Sequence, residues 1–88
     1  MTTEKTIELL WQNLQGRKSN EEKLSFINNA VPGSLVITGT AYGRTETLEG
    51  IPPVVACEVL KILENYYKQR ISEHDNVIKS LFEEVCNE

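Results

Sequence analysis

The sequence predicts an α+β fold: two short N-terminal helices, a β-hairpin and one long C-terminal helix, assembled into a homo-oligomer. Three observations carry this expectation. Apolar residues recur at helical spacing on both sides of the chain's middle. The middle itself, LVITGTAYGRTETLEG at residues 35–50, is laced with threonine and glycine and reads as a strand pair. The last apolar stripe is longer than a body of 88 residues can cover.

The first helix is expected over residues 4–15, where Ile7, Leu10, Trp11 and Leu14 form one stripe. Thr2 or Thr3 serves as its cap, Glu4 lies in the first turn, and Gly16 offers a left-handed stop. A second helix follows. Ser19 and Glu22 have the spacing of a capping box, and Leu24, Ile27 and Val31, or Phe26 and Ala30, supply the buried side. The Asn28-Asn29 pair and then Pro32-Gly33 end it. Trp11 and Phe26 are assigned to the core.

The hairpin comes next. Its arms, SLVIT and RTETLE, favour strand, and Ala41-Tyr42-Gly43 fits a three-residue loop with Gly43 as a left-handed bulge. That register sets Thr40 opposite Arg44, Thr38 opposite Glu46 and Val36 opposite Leu48, with Leu35, Ile37, Thr45 and Thr47 on the other face. A lone ribbon of two strands is marginal in water, so something must cover it.

The long helix starts at Pro53, a residue suited to the first helical position. Leu60, Leu63, Tyr67, Ile71, His74, Ile78, Leu81 and Val85 form a seam, and Val55, Val59, Ile62 and Tyr66 run beside it. Unbroken to Cys86, this helix measures about 50 Å, against a diameter of about 30 Å for a compact chain of this length. Either it breaks near Ser72 to Asp75, or another copy covers the excess. Self-association is favoured, and Leu60, Leu63, Tyr67, Ile71, His74, Ile78 and Leu81 are the expected oligomer interface.

Composition narrows the function. The chain has 40% hydrophobic and 25% charged residues, as an ordinary globular protein does, and residues 1–88 are read as one domain. Net charge is −4, with +1 in residues 1–44 and −5 in residues 45–88, so no basic stripe exists to hold nucleic acid. The N-terminal Met-Thr-Thr-Glu-Lys has no apolar signal region and no apolar run is long enough to span a bilayer. A cytoplasmic protein is therefore expected. Cys57 and Cys86 lack metal-ligand spacing and are read as reduced thiols, Cys57 packed and Cys86 near a frayed end. The single histidine, His74, lies on the seam without a nucleophile beside it in sequence, and no HExxH or calcium loop occurs. Neither enzyme activity, a metal nor a cofactor is expected.

One candidate site remains. Gly39, Thr40, Tyr42, Gly43, Arg44 and Thr45 combine open backbone amides, hydroxyl donors, a planar guanidinium and an aromatic ring at the turn. Those are the parts of a patch for phosphate and base. Arg44 also lies two residues from Glu46, where a surface ion pair accounts for it equally well. Tyr66 and Tyr67 point about 100° apart, so one is buried and one wet, with Lys68 and Arg70 nearby.

The function expected is a non-enzymatic binding protein that self-associates and sequesters a small phosphorylated, nucleotide-like ligand. The alternative is a protein-interaction module that inhibits or adapts a larger machine, such as a small inhibitor carried by a mobile element. The expected partners are further copies of the chain, then either that ligand or a protein, with no nucleic acid and no membrane.

Overall fold

The computed structural model describes residues 2–87. It contains helix α1 (Thr3–Asn28), a short 3-10 turn η1 (Pro32–Ser34), strands β1 (Ile37–Ala41) and β2 (Arg44–Leu48), and helix α2 (Pro53–Cys86). The α+β class and the order helix, hairpin, long helix follow the expectation. The two N-terminal helices do not: they are one helix of 26 residues.

Its start is the expected one. Thr2 caps the helix, its hydroxyl accepting from the Lys5 amide at 3.2 Å, and Glu4 lies in the first turn. Gly16 is not a stop, because its missing side chain is used for close packing. A Cβ placed there would meet Cε1 of His74 at 2.6 Å, so glycine lets α2 approach. One mid-helix glycine costs about 1 kcal/mol relative to alanine, which neighbouring contacts offset. Asn13 and Asn20 donate to the carbonyls of Leu9 and Gly16 at 2.8 and 2.7 Å, so neither side chain pulls the backbone out of the helix. Arg17 bonds Glu21 one turn on and Asp75 of α2. Ser19 and Glu22 thus lie mid-helix, and the capping box is not used. Asn29 closes the helix, and Pro32 opens the 3-10 turn.

α2 is continuous through Ser72 to Asp75. Asp75 accepts from Arg17 at 2.5 Å instead of capping a new start, and Arg70 bonds Glu73 at 2.8 Å across the same turn. With 34 residues α2 is about 51 Å long. The chain spans 56 × 30 × 14 Å with a radius of gyration of 18.1 Å. A compact chain of this length has a radius near 12 Å.

The two helices pack antiparallel as a hairpin, and η1 rests on α2. On the α1 side the seam is built from Thr6, Leu9, Leu10, Asn13, Gly16, Asn20, Leu24 and Ile27, which are half-buried or buried. This set recurs at a heptad-like spacing, as two closely packed helices require. It is short of bulk, and among the described residues only Thr6, Ala56 and Leu81 are buried. The Thr6 hydroxyl is satisfied by the Thr2 carbonyl at 3.0 Å.

Trp11 and Phe26 are therefore not core residues. They are 62% and 75% exposed. The buried line of α1 runs through Thr6, and Ile7, one residue on, points about 100° away from it. The Ile7-Trp11-Leu14 stripe thus falls on the side of α1 turned away from α2. Cys57 is likewise exposed rather than packed, as is Cys86, and both are free thiols.

Candidate functional site

The hairpin projects from the helix pair. Neither strand packs on a helix, and every residue from 36 to 50 is exposed. Its turn has two residues, Tyr42 and Gly43, with φ of 54° and 75°. Two successive left-handed residues make the turn whose twist matches the strands, which a three-residue loop with one left-handed glycine does not need. The register therefore shifts by one from the expected pairing: Ile37 faces Leu48, Thr38 Thr47, Gly39 Glu46, Thr40 Thr45 and Ala41 Arg44.

That shift re-sorts the faces, because strand side chains alternate. One face is a ladder of hydroxyls. Thr38 bonds Thr47 at 3.1 Å and Thr40 bonds Thr45 at 3.0 Å. The other face carries Ile37, Gly39 and Ala41 against Leu48, Glu46 and Arg44. Together with Tyr42 these residues line an open concavity of about 360 Å³.

The candidate residues are thus divided. Gly39, Tyr42 and Arg44 share the concave face, and Gly43 lies in the turn beside them. Thr40 and Thr45 lie on the opposite face, with their hydroxyls engaged on each other. The sequence reading missed Ile37, Ala41, Glu46 and Leu48. Alternation along each arm would have found all four, once the turn was placed at Tyr42-Gly43.

Electrostatics on the concave face are balanced rather than basic. Arg44 Nη2 donates to Glu46 at 2.6 Å, the ion pair expected from their spacing. The pair is exposed, so its contribution to stability is small. Space above Gly39 is open, and the Tyr42 ring is wholly in solvent.

The seven seam residues expected at an oligomer interface, Leu60, Leu63, Tyr67, Ile71, His74, Ile78 and Leu81, are half-buried or buried along the side of α2 that meets α1. His74 lies against Gly16, with its Nδ1 3.0 Å from Asn13 Oδ1. Tyr66 is exposed and Tyr67 half-buried, their rings edge to face at 5.2 Å. Lys68 and Arg70 are neutralised by Glu64 and Glu73 at 2.7 and 2.8 Å. No three metal-ligating side chains cluster among the described residues, and none of their helices is long and apolar enough to cross a membrane.

No family model, curated protein or solved structure matches this chain.

Proposed function

We propose that the chain is a non-enzymatic, self-associating binding protein whose hairpin holds a small phosphorylated, nucleotide-like ligand. One observation carries this: Tyr42, Arg44 and the small residues Gly39 and Ala41 line one solvent-open concavity on the hairpin. Each part suits a portion of such a ligand. Ile37, Leu48 and the Tyr42 ring are apolar surfaces for a base, and stacking on an aromatic contributes about 1–3 kcal/mol in single-strand binders. Arg44 presents a planar fork to a phosphate. Glu46 accepts from ribose hydroxyls or an exocyclic amine, and the guanidinium keeps free donors while one is engaged on Glu46. Thr40 and Thr45 lie on the opposite face, bonded to each other, and take no part in holding the ligand.

The test is titration of the intact chain with a panel of nucleotides, followed calorimetrically and by native mass spectrometry. Arg44→Ala is expected to abolish binding and leave the assembly mass unchanged. Binding that is indifferent to both Arg44→Ala and Tyr42→Ala would place any ligand elsewhere.

A second reading is favoured by a different observation. Val54, Ile62 and Tyr66 of α2 are exposed by half or more. A module that docks on a larger protein presents such a surface. On that reading no nucleotide in the panel raises the melting temperature, and Ile62→Glu abolishes partner binding where Arg44→Ala does not.

A further inference from the structure

We infer that two copies of this chain pair through the exposed flank of α1, packed antiparallel about a two-fold axis at Trp11. This deepens the self-association in the proposed function and is independent of its ligand.

The surface is apolar where a lone chain has no use for it. Ile7, Trp11 and Leu14 are 56%, 62% and 42% exposed. Their spacings of four and three residues make one continuous stripe. Trp11 lies two residues before Asn13 of the seam and so points about 160° away from it, on the side of α1 turned from α2.

Area indicates how much cover is needed. The chain exposes 6687 Å². A compact monomer of 10.0 kDa exposes about 5,200 Å². The excess, roughly 1,500 Å², is shared between the projecting hairpin and the uncovered helix faces, the stripe among them.

Charge points to a second copy as the occupant. The stripe reads Glu4, Ile7, Trp11, Leu14, Lys18 at spacings of three, four, three and four, with an acid at one end and a base at the other. Trp11 is its midpoint. An antiparallel copy turned about that midpoint sets Glu4 against Lys18 of the partner subunit and Lys18 against Glu4 of the partner subunit. Ile7 then meets Leu14 of the partner subunit, and the indole packs on its symmetry mate. A two-fold interface must be self-complementary in this way. A parallel copy would set Glu4 beside Glu4 and Lys18 beside Lys18, which is repulsive at both ends.

The experiment uses the full chain, in sedimentation velocity and in fluorescence of its single tryptophan. Wild type is expected to be multimeric, with Trp11 emission shifting to the blue as concentration rises. Trp11→Glu, at an exposed site, is expected to keep its helical circular dichroism and lose that multimer. Glu4→Lys and Lys18→Glu should each weaken pairing roughly tenfold, since two attractive contacts per dimer become repulsive. The doubly reversed chain should regain wild-type affinity. A monomer at every concentration, or a multimer that Trp11→Glu leaves intact, overturns the interface. Failure of the double reversal to restore affinity overturns the antiparallel two-fold arrangement. Arg44→Ala is the control, expected to change neither mass nor emission.

Discussion

At the scale of single residues, Gly16 and His74 decide how closely the two helices approach. Alanine is the better helix former by about 1 kcal/mol, so on propensity alone Gly16→Ala would stabilise α1. The contact reverses that sign. The added methyl falls 2.6 Å from the imidazole, which must swing away and give up its bond to Asn13 at 3.0 Å. Overpacking costs about 1–3 kcal/mol and a lost hydrogen bond about 1 kcal/mol, so the net effect is destabilising by about 1–3 kcal/mol. In a His74→Ala background the same change should instead stabilise by up to about 1 kcal/mol. Chemical denaturation of the four chains of this cycle measures the coupling, and additivity within error would show that the two residues do not meet. The neighbouring Arg17–Asp75 pair behaves differently. Arg17 is raised above its ordinary pKa, chiefly by its hydrogen bond to Asp75, with desolvation opposing. A raised arginine contributes stability that is complete below its unfolded pKa and lost only as pH rises through the higher folded one. That contact therefore persists through mildly alkaline solution.

At the scale of elements, the hairpin tests how far local chemistry reaches. Tyr42 occupies a left-handed conformation that costs an L-residue about 1–2 kcal/mol, and asparagine tolerates it better. Tyr42→Asn is thus expected to tighten the turn while removing the ring proposed to stack on a base. Amide exchange of the strand residues should slow, and nucleotide affinity should fall. Slower exchange with unchanged affinity would separate the ring from the site. Gly43→Ala should loosen the hairpin by about 1–2 kcal/mol, read from the same amide exchange. Much of this architecture was legible in the sequence: the Thr2 cap, the end of α1 before Pro32, the start of α2 at Pro53 and both strands. The break between the first helices was misread because a glycine that ends a helix and one that admits a neighbour look alike until the neighbour is placed. The register was misread because Ala41-Tyr42-Gly43 and Tyr42-Gly43 are both plausible turns, and a shift of one residue exchanges the faces. That exchange moves Thr40 off the face of Arg44 and brings Ile37 onto it, whereas Thr45, next to Arg44 on the same strand, faces away from it in either register.

At the scale of the whole molecule, the helix pair alone makes a thin body. The least extent of the molecule is 14 Å, and among the described residues only Thr6, Ala56 and Leu81 are buried. The seam of α1 offers Thr6, Asn13, Gly16 and Asn20 where a self-sufficient helix pair would place leucines. The missing apolar burial is on the flank, in Ile7, Trp11 and Leu14. Packing of that flank against a second copy would make folding and association one equilibrium, so apparent stability should depend on protein concentration. For a coupled dimer each tenfold increase in concentration adds about 1.4 kcal/mol, and for the combined length of two chains this raises the melting temperature by about 3–5 °C. Calorimetry over a hundredfold range of concentration measures this directly. In the Trp11→Glu chain the slope should vanish and the melting temperature should fall to that of the bare helix pair. A wild-type melting temperature independent of concentration would mean that the thin helix pair is stable by itself, with Trp11 in water.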